Sequence, residues 1–304
     1  MTEAVSVPGD ITLPLAPDER DDRGGPGRRR ARSPMLTAGL VVLGIVVLVA
    51  VFAPLLTPYD PRNASAGRAL EQPSARHWLG TDVPGRDIFA QLVYGARASL
   101  TVAAVAGSLA MAGAIVLGVL PALVGGVADR ASNRFVTFLL ALPGAPLLVL
   151  LGSLALNSRV AVIIVIAVLG APPNARTLRS QAVTLRQRGF VASARGFGGG
   201  PTYVLRRHFL PGLAPLIIVG FVNWASVAVG LEAGLTFLGL GDPSGISWGL
   251  MLNRALGQQS IYLSPMWVWW VLPVGLVLTL TLLALTVVGV ALEPVFNPRS
   301  QSPS

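Results

Sequence analysis

The chain has 304 residues, 53% of them hydrophobic and 12% charged, with a formal net charge of +9 and a mean hydropathy of +0.66. Soluble domains are about 25% charged, so this is the composition of a membrane protein. All 23 basic residues are arginine and no cysteine occurs, which excludes a P-loop lysine, a Schiff-base lysine, disulfides, thiolate metal sites and a cysteine nucleophile.

Residues 1–34 are rich in Pro, Gly, Asp and Arg without apolar periodicity and read as a disordered cytoplasmic tail ending in Arg28-Arg29-Arg30-Ala31-Arg32. The apolar run that follows exceeds a signal-peptide core of about 7–15 residues, so 35–57 is expected to be an uncleaved first span. A bilayer core of about 30 Å requires about 20 apolar helical residues. Further spans are expected at 98–124, 134–156, 159–179, 211–235 and 268–292, with an extracytoplasmic segment at 58–97, a core domain over 98–297 and a C-terminal tail at 298–304. With both termini cytoplasmic, sixteen arginines fall inside and seven outside, the bias expected of cytoplasmic loops. The arginines therefore flank spans and imply contact with membrane lipid, not with nucleic acid.

Within the second span Ala106, Ala110, Ala114 and Gly118 form a small-residue face for close helix packing. Leu142-Pro143-Gly144-Ala145-Pro146 should break or bend the third. The fourth meets Pro172-Pro173 and reads as a kinked helix emerging into water on one side. Trp267, Trp269 and Trp270 open the sixth and fit an interfacial belt. Glu232 is the only carboxylate inside an expected span. It reads either as part of an outer gate or proton site, or as a group hydrogen-bonded near the interface.

His77 and His208 lie outside the spans, and no span pairs a nucleophile with a base, so catalysis is not expected. Asp82 and Asp87, with Arg86 between them, read as an ordered turn. The stretch of about 186–211 is different, being Arg- and Gly-rich and too long for a simple turn. Phe190, Ala194 and Phe197 fall on one helical face with Val191 beside them, and Ala192, Ser193 and Ala194 keep the surface low. Gly198-Gly199-Gly200 permits a reversal, and Pro201 suits the first position of a second short helix over about 201–209. Two short helices joined by glycines make either a docking knob or an amphipathic hairpin on anionic headgroups.

The spacing from Ala192-Ser193-Ala194 through Gly198 to His208-Phe209-Leu210-Pro211 resembles the EAA loop of ABC-importer permeases. His77-Trp78-Leu79-Gly80-Thr81-Asp82, Gly85-Arg86-Asp87, Tyr94-Gly95-Ala96-Arg97, Glu232-Ala233 leading to Phe237-Leu238-Gly239-Leu240-Gly241, and Ser247-Trp248-Gly249 agree. Together they look like the C-type subunit of dipeptide and oligopeptide permeases, over residues 35–297. The resemblance implies an all-α polytopic protein with six transmembrane helices and the type I ABC-importer permease fold. It also implies a B-type permease as heterodimer partner, two ABC ATPase subunits that hold the ATP and Mg, an extracytoplasmic substrate-binding protein, and no cofactor in this chain.

By the same resemblance, ATPase contact centres on Phe190, Val191, Ala192, Ser193, Ala194, Arg195, Phe197, Gly198, Gly199, Pro201, Thr202 and Tyr203. Two positions depart from the pattern: the family's glutamate falls at Ala192, and Gly212 stands where Asn is frequent. Nickel and other small-solute importers use similar permeases. An ion-coupled secondary transporter would ordinarily carry intramembrane coupling residues and internal repeats, and a membrane enzyme would need a catalytic constellation.

Overall fold

The computed structural model describes residues 34–154 and 158–296, apart from the side chains of Arg195 and residues 294–296. The arginine run 28–32, most of the expected N-terminal tail, the close of the third span at 155–156 and the C-terminal tail lie outside the described residues. Among those described there is no strand, only one isolated bridge between Thr81 and Asp87.

Helix α1 is Pro34–Val51; its last carbonyls, Ala50 and Val51, accept from Arg97 at 2.5 and 2.9 Å, a cation on the negative end of a helix. Helix α2 runs from Ile88 to Val124, beginning ten residues before the expected second span. Asp87 sets this start by capping the Ala90 N–H at 2.6 Å. Its 37 residues rise about 55 Å, more than the apolar thickness of about 30 Å. Near its other end Pro121 has no N–H for the Leu117 carbonyl. A π turn over Ile115–Val119 absorbs the mismatch, and Ser132 Oγ donates to the freed Leu117 oxygen at 2.5 Å.

The third apolar segment is broken as its sequence requires, into α3 (Gly126–Ala141) and α4 (Gly144–Leu154), bent by 86° where Leu142 turns extended. By contrast, α5 continues as one helix from Arg159 to Arg186 through Pro172 and Pro173, seven residues past the expected span. Buried Ala171, Ala175 and Ala182 face α2 and the loop end, and this packed face carries the helix past its two prolines. A short helix, α6 (Gly189–Gly196), precedes α7, Pro201–Phe237. Helix α8 is Trp248–Leu256, and α9 is Val271–Phe296 after a turn at Met266–Trp269.

Five helices are long and apolar enough to cross a membrane, six if the bent α3–α4 pair counts as one. The start of α1 packs on the end of α9, since a Cβ on Gly39 would meet Val287 and Val288 at 3.0 Å. Along the other end lie the close of α1, the start of α2 and the close of α7. Counted this way the loop 186–211, the beginning of α1 and the end of α9 share one end of the bundle.

The small-residue face of α2 is the tightest seam. Ala106, Ala110 and Ala114 are fully buried, and a Cβ on Gly118 would lie 2.4 Å from the Ala175 carbonyl oxygen of α5. Farther along α5, the Trp224 ring of α7 covers Gly170 so closely that a Cβ there would sit 2.1 Å from the indole. Trp270 is not part of an interfacial belt: it is 2% exposed and packs in the core with Trp248, while Trp267 is half exposed.

Candidate functional site

Two places concentrate polar and exposed groups, one at each end of the bundle. At the loop end α6 closes with a Schellman arrangement: the Gly199 N–H bonds the Ala194 carbonyl at 2.9 Å, with Gly198 between at φ +81°. A Cβ on Gly199 would approach that carbonyl to 2.5 Å, so both glycines are required by the reversal. Val191 is buried and Ala194 half-buried in a cluster with Leu178, Val204, Phe209 and Leu213.

The inward face of α6 is therefore Val191 and Ala194, not the expected Phe190–Ala194–Phe197 stripe. Phe197 lies past the last helical residue and is 92% exposed. Phe190, Ala192, Ser193, Pro201, Thr202 and Tyr203 are exposed as well, and the side chain of Arg195 lies outside the described residues. His208 joins the two halves of the loop, its ring 5.5 Å from Phe190 and 5.9 Å from Tyr203.

The expected second short helix is not separate. Pro201 opens α7, and a π turn over Leu205–Phe209 carries the chain into Leu210-Pro211 without a break. As at Pro121, the π turn precedes a proline that lacks the next ladder N–H. Beside the loop, Arg179 of α5 grips Asp129 of α3 with two parallel bonds, Nε to Oδ1 at 2.7 Å and Nη2 to Oδ2 at 2.9 Å. Arg186 Nη1 donates to the Ala122 carbonyl at 2.8 Å. Sequence reading missed the Asp129 pair; its signal was a lone acid in a segment otherwise bordered by arginines.

At the opposite end a cavity of about 670 Å³ opens among the 54–62 segment, α2, α5, α7 and the 241–250 turn. Glu232 lines it, 4% exposed, accepting from Ser99 Oγ at 3.2 Å, with the Ser247 and Thr236 hydroxyls and Arg159 nearby. Arg159 itself bonds the Ala98 carbonyl at 2.6 Å. Around the mouth stand Asp60, Arg62, Arg97 and Asp242. Ser244 donates to Asp242 from Oγ at 2.6 Å and from N at 2.9 Å, which holds that carboxyl below its ordinary range.

The expected sequence blocks converge here. Trp248 is fully buried, donates from Nε1 to the Leu92 carbonyl at 3.0 Å and lies over Gly95. Gly249 sits against α7 so tightly that a Cβ would meet the Ala233 carbonyl at 2.3 Å. Asp82 accepts from Arg86 N and Nε and from Gln91, while Asp87 accepts from Ala90 N and pairs with His77 at 2.8 Å. Both acids are thus consumed by an ordered turn. One buried carboxylate, Glu232, and the exposed guanidinium groups of Arg62, Arg97 and Arg159 thus stand around one opening.

Residues 114–302 match the family described as "Binding-protein-dependent transport system inner membrane component", and residues 28–73 match "N-terminal TM domain of oligopeptide transport permease C". A peptide permease protein of Brucella suis biovar 1 is 37% identical over 265 residues, covering 86% of each chain. The dipeptide transport system permease protein of Alkalihalophilus pseudofirmus is 32% identical, covering 89% of this chain and 88% of the relative. The glutathione transport system permease protein of Pectobacterium atrosepticum is 34% identical, covering 88% and 87%.

Proposed function

Because the chain belongs to the family of binding-protein-dependent transport system inner membrane components, a multi-pass permease of the bacterial cytoplasmic membrane, we propose that it is the C-type subunit of an ATP-driven importer of di- and oligopeptides. It forms half of the translocation path. A B-type permease supplies the other half, two ATPase subunits bind ATP and Mg, and an extracytoplasmic binding protein delivers the substrate. Both termini and the α6 loop face the cytoplasm, a reading supported by the arginine bias and by the common position of the start of α1, the end of α9 and the loop at one end of the bundle.

The observation that carries this reading is the form of α6. Eight residues too few to be stable alone are pinned to the bundle by Val191, while Phe190, Ala192, Ser193, Phe197 and Tyr203 remain open to a partner. Without lysine the chain cannot form a P-loop, which supports nucleotide hydrolysis in partner chains. Ala192, where the family has an acid, leaves the contact to the backbone, to Ser193 and to the aromatic side chains.

At the other end, Glu232 closes the cavity as a polar latch of the outer gate. The test is Gly198→Val in the purified, reconstituted transporter. A β-branched residue at φ +81° costs about 1–2 kcal/mol of local strain and misorients α6. Transport-coupled ATPase activity should fall at least ten-fold while the permease pair still assembles. Unchanged coupling would refute the docking assignment.

A further inference from the structure

We propose that Asn223 and Asn174 line the water-filled path through which an amide-bearing solute crosses the membrane, on the face of the bundle where α5, α7 and α9 meet. This deepens the permease reading above and rests on it. Asn223 lies twelve residues after Pro211 and fourteen before the end of α7 at Phe237, about 18 and 21 Å along the axis. That is the depth at which a helix has only hydrocarbon or another protein surface beside it.

Asn223 is nonetheless exposed. Serine and threonine at such depth satisfy themselves on their own helix, as Thr281 does on the Val277 carbonyl at 2.8 Å. Asn223 makes no such bond among the described residues. Its Oδ1 instead rests against the backbone of α9, at a spot where a Cβ on Gly289 would come within 2.0 Å.

Across a shared groove of about 250 Å³ stands Asn174 of α5. Its Nδ2 donates to the Gly170 carbonyl at 2.9 Å, and its Oδ1 faces α7 where Gly220 leaves room. Thr177 and Glu293 continue the polar lining toward the loop end. The opposed amides offer donors and acceptors to water and to the main-chain amides of a peptide. A lipid chain could satisfy neither. A groove of this size holds several waters, whereas a helix interface would be filled by side chains. Val227 on α7 and Leu276 and Leu283 on α9 are exposed aliphatic positions of the same spans, and the exposed Thr286 of α9 satisfies itself on the Leu282 carbonyl at 2.8 Å.

The chain has no cysteine, so Asn223→Cys, Asn174→Cys and Leu283→Cys each introduce the sole thiol of this subunit. In the complete transporter reconstituted in vesicles, a membrane-impermeant quaternary-ammonium methanethiosulfonate is applied from both sides, and labelling of this subunit is followed by its mass, nucleotide-free and ATP-trapped. Both asparagine positions should react at least ten-fold faster than Leu283→Cys in one or both states. Rates equal to that of Leu283→Cys in both states, as a covering partner helix would produce, overturn the assignment. ATP-dependent uptake of a mixed di- and tripeptide pool by the unsubstituted transporter tests the permease reading separately. Fast labelling without uptake would refute that reading alone, and uptake with slow labelling would refute only the role of the two asparagines.

Discussion

Replacing Gly118 by alanine tests how much of the bundle depends on one close approach. The added Cβ would lie 2.4 Å from the Ala175 carbonyl oxygen and 3.1 Å from its Cα, against the 3.4–4 Å of ordinary contact. The obstacle is backbone, so no rotamer change relieves it, and α2 and α5 must part locally by about 1 Å. Overpacking of this kind costs about 1–3 kcal/mol, only partly offset by the 0.5–1 kcal/mol that alanine gains over glycine inside a helix. Gly44 of α1 provides the control, because a Cβ there meets nothing within 4 Å and Gly44→Ala should be neutral or stabilising. Together the two variants should differ by about 2 kcal/mol, or several degrees in the melting temperature of the purified protein in detergent. Equal melting temperatures would refute the reading of the α2–α5 seam as backbone-limited.

Other expectations follow from the same packing. Trp248→Phe removes the bond to the Leu92 carbonyl and part of a fully buried ring, and should cost about 1–2 kcal/mol; Trp248→Ala, leaving a cavity, should cost about 3–5 kcal/mol. Both can be read from thermal unfolding. Arg179→Ala leaves the carboxylate of Asp129 buried without its partner, so it should destabilise more than the double variant Arg179→Ala/Asp129→Asn. A double-mutant cycle by the same assay checks this, and a coupling energy of zero would deny that the pair holds α3 to α5.

Much of the architecture was legible because it rests on composition and period. The apolar runs gave the crossings, Pro143 to Pro146 marked the break, and the four-residue spacing from Ala106 to Gly118 picked out the face buried against α5. What escaped depends on tertiary partners. Gln91, Tyr94 and Arg97 made the first turns of α2 look like loop, yet Gln91 is buried on Asp82 and Arg97 caps α1. A helical-wheel reading placed Phe197 beside Phe190 by continuing the helix past Gly196, where the Gly198 reversal ends it. In the run from Leu205 to Pro211 the proline marks a missing ladder N–H, but a break and a π turn answer it equally well in sequence. The packing of Val204 and Phe209 beneath α6 selects the π turn that fuses the loop to the span. Trp270 is indistinguishable from its neighbours in sequence, and only the packing of α8 against α9 draws it into the core.

That fusion has a mechanical consequence. Tyr203, on the exposed loop, and Glu232, at the wall of the far cavity, belong to one helix, twenty-nine residues and about 44 Å apart. A rod of this length converts a tilt of a few degrees at one tip into a displacement of several ångströms at the other. Force applied on one side of the membrane therefore reaches the opposite side through a single lever arm, with Val204 and Phe209, seated in the core beneath α6, serving as its fulcrum.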